Sequence, residues 1–104
     1  MVAIVRNPDV LAEVVARVLD AGAAQFELEY RDGEEHLVAF TGPVGVGIAA
    51  FRSDSEDAQE LRRQLYGVAK KPRRIVHAGV EYSLHVKIFD SFGEDAFRAT
   101  ITRS

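Results

Sequence analysis

The sequence predicts an α+β fold for residues 1–104: a single, mostly antiparallel sheet of about five to six strands with two helices on one face. Two segments carry apolar residues at helical spacing, and most of the others alternate apolar and polar residues as half-buried strands do. Turn signals separate the strands. The predicted order is helix, three strands, helix, then two or three strands. A chain of 104 residues is the size of a single domain.

The first helix is predicted in NPDVLAEVVARVLDAGA, beginning at residue 7. Asn7 is the expected N-cap, and Pro8 suits the first helical position. The helix dipole favours an acid at Asp9. Gly22 is placed to end the helix in a left-handed conformation. One broad apolar face is formed by Val10, Leu11, Val14, Val15, Val18 and Leu19.

Three strands are expected next. QFELEY alternates strictly, with Phe26, Leu28 and Tyr30 on one side, which is typical of a half-buried strand. Asp-Gly at residues 32–33 is a tight-turn signal, so EEHLVAF is the returning strand. VGVGIAAFR is the third strand, reached through Thr41-Gly42-Pro43.

The second helix is predicted within residues 53–71, where Ser53 and Glu56 have capping-box spacing. Pro72 ends it. Its apolar stripe consists of Ala58, Leu61, Leu65 and Val68. The remaining segments, RRIVHAG, VEYSLHVKIFD and FRATITR, read as strands of an antiparallel sheet with one wet face. Val80, Tyr82, Leu84, Val86, Ile88, Phe97, Ala99 and Ile101 are predicted to point inward.

The glycine-rich stretch TGPVGVGIAAF does not match a phosphate-binding loop. A Walker loop needs Gly-Lys-Ser/Thr before a helix, whereas glycines 42, 45 and 47 are followed by an apolar run of strand character. We interpret Gly45 and Gly47 as one face of a strand on which another element packs closely.

Composition and spacing narrow the function classes. The net charge of −3 excludes a globally basic nucleic-acid binder. The chain has no cysteine, which suits a cytoplasmic protein, and its apolar N-terminal run is too short for a signal peptide or a membrane span. His36, His77 and His85 lack metal-ligand spacing. No catalytic residue, metal site or cofactor is therefore predicted, and the chain is not expected to be an enzyme.

A basic cluster is the most distinctive charge feature. LRRQLYGVAKKPRR, residues 61–74, contains six cationic residues and no acid. Cations are favoured near a helix C-terminus, but six exceed what capping requires. The sequence therefore predicts an anionic-partner surface made by Arg62, Arg63, Lys70, Lys71, Arg73 and Arg74.

The ordered motifs resemble the non-motor N-terminal domain of type II secretion and type IV pilus assembly ATPases. AGAAQFELEY resembles the segment that follows that domain's first helix, and YRDG resembles its Asp-Gly turn. LRRQLYGVAKKPRR resembles the second helix with its basic, proline-containing exit. VEYSLHVKIFDSFGEDAFRATI resembles the closing hairpin, with Phe92-Gly93-Glu94 at the turn. The family's Ser-Asp-x-His is replaced by residues 24–27, and residues 1–104 contain none of the motor's motifs.

The resemblance implies a freestanding, PAS-like, bacterial accessory domain that docks on a protein partner, with a secretion or pilus-type ATPase as the named candidate. A homodimer is a further expectation, because an exposed edge strand can pair two copies. Two alternatives stay open: a small-ligand or nucleotide sensor with a pocket between helix and sheet, and a weak nucleic-acid binder that uses residues 62–74. Tyr66 is the sole stacking aromatic among those cations, so nucleic acid is the least favoured partner.

Overall fold

The computed structural model describes residues 9–104 and confirms the predicted α+β class and element order. Within these residues the chain forms two helices, α1 (Val10–Asp20) and α2 (Glu56–Lys70). It also forms six strands: β1 (Gln25–Arg31), β2 (Glu34–Thr41), β3 (Val44–Arg52), β4 (Arg73–His77), β5 (Val80–Ser91) and β6 (Glu94–Arg103).

The six strands form one antiparallel sheet in the order β3-β2-β1-β6-β5-β4. The chain leaves the sheet at one edge, β3, and re-enters it at the other, β4, so α2 has to cross its whole width. A helix of 15 residues is about 22 Å long, and five gaps between strands span about 24 Å. The length of α2 therefore matches the width of the sheet. Among residues 9–104, neither helix is long and apolar enough to cross a membrane.

The apolar stripes of both helices meet the predicted inner face of the sheet in one core. Phe26 of β1 lies opposite Ala39 of β2 and Ala99 of β6, which places all three side chains on the helix-covered face. The largest fully buried side chains are Phe26, Phe97, Leu11, Leu28, Leu37, Leu61, Leu65, Leu84, Val15 and Val18. Burial of these side chains is the main favourable contribution to folding. Ile88, also predicted to point inward, is 42% exposed.

The start of α1 differs from the prediction. Asp9 is the N-cap, and its side chain accepts a hydrogen bond from the backbone N–H of Ala12 at 3.2 Å. The predicted cap, Asn7, lies outside the described residues, as does Pro8. The predicted end is confirmed, because Gly22 has φ of +79° directly after the C-cap. Aspartate and asparagine are about equally good N-cap residues. The sequence therefore did not show which of Asn7 and Asp9 begins the helix.

The start of α2 was also predicted two residues early. Ser55 is the N-cap and accepts a hydrogen bond from the N–H of Ala58 at 3.1 Å. The hydroxyl of Ser53 instead donates to the carboxylate of Glu35 at 3.1 Å. The predicted stop before Pro72 is confirmed, since α2 ends at Lys70 and the residue before a proline avoids the helical conformation.

The glycine-rich stretch is a turn followed by the strand β3, as predicted, and β3 lies at an edge of the sheet. Gly45 confirms the predicted close approach: a Cβ atom there would lie 2.8 Å from the ring of Phe40 and 3.0 Å from a methyl group of Val38. For Gly47 the prediction of a close approach is wrong, because nothing lies within 4 Å of that position. The extra residue that interrupts the register with β2 follows Gly47. Glycine inside a strand often marks such a bulge.

Candidate functional site

Four of the six basic residues predicted to bind an anionic partner face carboxylates of their own chain. The ion pairs are Arg62–Glu35, Arg63–Glu60, Arg73–Asp9 and Arg74–Glu81. Lys70 and Lys71 are exposed and have no charged partner among residues 9–104. The positive charge that this segment can present to an anionic partner is therefore smaller than its sequence indicates.

Arg62 belongs to the most buried of these pairs. Its Nη1 lies 2.9 Å from Oε2 of Glu35, a side chain that is only 4% exposed. Its Nη2 donates to the carbonyl oxygen of Ser53 at 3.1 Å. The guanidinium thus joins α2 to β2 and to the β3–α2 connection. Its position is explained by the fold, without a partner.

Arg73 also has a role within the fold. Both of its terminal nitrogens donate to the carboxylate of Asp9, which joins the start of β4 to the start of α1. This hydrogen bonding lowers the pKa of Asp9 below its usual value. Hydrogen bonds from Arg63 lower the pKa of Glu60 in the same way on the surface of α2.

The tip of the β5–β6 hairpin is the most exposed apolar feature of the described chain. The side chain of Phe92 is completely exposed, and its backbone has φ of +52°. A bulky residue in the left-handed region is uncommon and costs roughly 1–2 kcal/mol. The first residue of such a two-residue turn is usually asparagine, aspartate or glycine, as in the Asp32-Gly33 turn. Nothing in the turn geometry requires phenylalanine at position 92.

A second unfavourable feature lies in the same hairpin. Asp90 and Asp95 stand directly opposite each other across the β5–β6 ladder, and like charges in opposed positions destabilise a sheet. Each of the two accepts one local hydrogen bond, that of Asp90 from the backbone N–H of Gly93 at 3.4 Å. The Tyr66 hydroxyl donates to Oδ2 of Asp95 at 2.6 Å. That hydrogen bond raises the pKa of Tyr66. The left-handed conformation of Phe92 and the opposed pair Asp90–Asp95 thus both destabilise the same exposed turn. Local features that lower stability are expected at functional sites.

A polar cavity of about 420 Å³ adjoins this hairpin tip. Its walls include the Arg62–Glu35 pair, Tyr66, and the carboxylates of Glu94 and Asp95. Three carboxylates against one guanidinium give the cavity a net negative charge. Such a lining repels phosphate groups. The cavity therefore suits a small ligand without phosphate groups better than it suits a nucleotide.

The histidines stand apart from one another. His77 lies 2.8 Å from Asp20 and His36 lies 3.8 Å from Glu34, while His85 is exposed on the open face of β5. Within residues 9–104 no group of three or more histidine, aspartate or glutamate side chains is arranged to hold a metal ion.

Two of the features described above were missed in the sequence although both left a signal there. Alternation along EEHLVAF places Glu35 on the same face as Leu37 and Ala39, which marks an inward carboxylate that needs a cation. Phe92 precedes a glycine in a turn, where asparagine or aspartate is usual.

Comparison with models of protein families finds no match, and comparison with curated proteins finds none at a significant level.

Proposed function

We propose that this domain is a non-enzymatic protein-interaction domain that docks on a protein partner through the tip of its β5–β6 hairpin. The observation that carries the proposal is Phe92, a fully exposed aromatic side chain held at φ of +52°. Aromatic residues, phenylalanine among them, are enriched at protein interfaces relative to the rest of the surface. A side chain that costs stability and contacts nothing in its own fold is best explained by a contact with another molecule.

The surroundings of Phe92 define the partner's chemistry. Asp90, Glu94 and Asp95 lie within three residues of Phe92 along the chain and make the hairpin tip acidic. The repulsion between Asp90 and Asp95 falls when a cation approaches. We therefore expect an apolar pocket bordered by lysine or arginine on the partner. Rim charges of this kind raise the association rate and the specificity more than the affinity.

The resemblance of the sequence to the non-motor domain of secretion and pilus ATPases names the partner to test first. The turn Phe92-Gly93-Glu94 is part of that resemblance. The motor of such an ATPase, encoded in the same genome, is therefore the proposed partner. Lys70 and Lys71 are the basic residues of the segment that we expect to contribute to partner binding, because its four arginines already face carboxylates.

The direct test replaces Phe92 with asparagine and measures binding to the purified ATPase by calorimetry. Phe92→Asn removes the ring but suits the turn, so we expect binding at least about tenfold weaker and unfolding that requires about 1 kcal/mol more free energy. Ala78→Asn is the matched control. Ala78 has φ of +50° in another two-residue turn, so this variant should gain stability and keep its affinity.

The same measurement separates the hairpin tip from the basic segment. Charge reversal by Lys70→Glu and Lys71→Glu leaves the four described ion pairs intact. If this double variant loses binding while Phe92→Asn binds like the wild type, the hairpin proposal is wrong and the basic segment is the docking surface. If the ATPase does not bind the wild-type domain at all, the proposed partner is wrong.

A further inference from the structure

The two edges of the sheet differ in how they are protected against pairing with another chain. β4 is a short edge of five residues that follows a proline and carries Arg73 and Arg74. β3 is a nine-residue edge with no charged residue from Val44 to Phe51. Charges, prolines and short length are the usual protection of edge strands. Among residues 9–104 no strand pairs with the outer side of β3.

The hairpin register determines which groups of β3 face outward. The two-residue turn closes on the pair Thr41–Val44, and hydrogen-bonded pairs alternate along an antiparallel ladder. Val44 and Val46 therefore bond to β2, whereas the N–H and C=O groups of Gly45 and Gly47 point away from the sheet. Their side chains are hydrogens, so a second strand can approach closely.

We propose that β3 pairs with β3 of a second copy, antiparallel about a two-fold axis through Val46. This register hydrogen-bonds Gly45 to Gly47 of the partner subunit, and Gly47 to the partner's Gly45. It sets Val46 opposite its own copy, and Val44 opposite Ile48 of the partner subunit. The side chains of Val44 and Val46, 60% and 57% exposed, become covered, and two sheets join into one of twelve strands.

The lack of charge in β3 favours a second copy over a different protein as the occupant. A two-fold axis places each residue near its own copy, so any charge close to the axis meets the same charge. None exists between Val44 and Phe51. The proposed pairing ends near Ile48. The register of β3 with β2 shifts after Gly47, and the carbonyl oxygen of Ile48 already accepts a hydrogen bond from Arg17 at 3.2 Å.

The paired segment is short, so a weak dimer is expected. The inference does not depend on the hairpin proposal, because Phe92 lies between β5 and β6, in the other half of the sheet. A dimer presents two copies of that hairpin. The two proposals are therefore tested on different residues.

Single cysteines test the register, since the chain has none of its own. In the proposed pairing Val46 and its copy form a non-hydrogen-bonded pair with Cα atoms about 4.5 Å apart, within the range of a disulfide. Under mild oxidation with glutathione disulfide, Val46→Cys should form a covalent dimer at least about tenfold faster than Val44→Cys. The two copies of residue 44 lie about 13 Å apart along the strands. Val76→Cys, exposed on the β4 edge, is the second control.

Sedimentation equilibrium tests the dimer without a cross-link. The apparent mass should rise with concentration from 11.5 kDa toward twice that value. Val46→Lys should abolish the rise because two ammonium groups meet at the axis, while Val76→Lys and Phe92→Asn should keep it. Equal cross-linking of Val46→Cys and Val44→Cys, or a mass for the wild type that stays at that of one chain, would overturn the pairing whatever the outcome at Phe92.

Discussion

Replacing Glu35 with leucine should lower the free energy of unfolding by about 3 kcal/mol. Glu35 is buried, and its carboxylate accepts hydrogen bonds from Arg62 and Ser53. Removing one partner of a buried ion pair leaves the other charge uncompensated and costs roughly 3–5 kcal/mol. Because Arg62 keeps 27% of its side-chain exposure, the low end of that range applies. In a domain of this size the unfolding midpoint should fall by roughly 12–24 °C.

A second substitution separates the lost pair from lost packing. Glu35→Leu combined with Arg62→Met removes both charges, and replacing a whole buried pair with apolar side chains is often neutral. The double variant should therefore regain most of the stability. Glu60→Gln is the control: it breaks the exposed pair with Arg63 and should change the midpoint little. A single Glu35→Leu variant as stable as the control would show that the pair does not hold α2 to the sheet.

Replacing Asp9 with alanine should have the second largest effect on stability, a loss of about 2 kcal/mol. The substitution removes the N-cap of α1, worth about 1 kcal/mol, and also the carboxylate that accepts from Arg73. Asp9→Asn keeps a good capping side chain but loses the charge, so it should be intermediate. Urea unfolding at neutral pH measures both variants.

The pH dependence of the same pair has a definite sign. The hydrogen bonds from Arg73 lower the pKa of Asp9 in the folded state below its usual value, so the unfolded chain takes up this proton first as the pH falls. The stabilisation from the pair is complete well above pH 4 and declines as the pH drops through the folded-state pKa. The stability difference between wild type and Asp9→Asn should therefore shrink below about pH 4. A constant difference from pH 7 to pH 2 would contradict this assignment.

The fold was predictable because its signals are local. Alternation along QFELEY and the Asp32-Gly33 turn predict a hairpin without knowledge of the remaining chain, and the Ala58–Leu61–Leu65–Val68 stripe needs only helical spacing. The helix starts were placed early because several residues near each start have capping side chains. Which of them caps depends on other contacts, as the Ser53 hydroxyl shows by donating to Glu35.

The roles of the basic residues were less predictable because their partners are distant in sequence. Arg62 meets Glu35 across 27 positions, and Arg73 meets Asp9 across 64. A run of cations therefore looks like a surface for another molecule until the fold brings its own carboxylates to it. The significance of Phe92 was only partly predictable. Its place before Gly93 marks an unusual turn residue in the sequence, but the φ of +52° and the full exposure of the ring needed the structure.

Amide hydrogen exchange of the domain, alone and with the ATPase, tests the central claim most directly. The hairpin proposal predicts slower exchange in residues 90–95 of the bound domain, with residues 62–74 changing less. Phe92→Asn should remove that protection, and Ala78→Asn should keep it. Protection confined to residues 62–74, with the β5–β6 hairpin unchanged in the bound wild type, would contradict the proposal that Phe92 is the docking anchor.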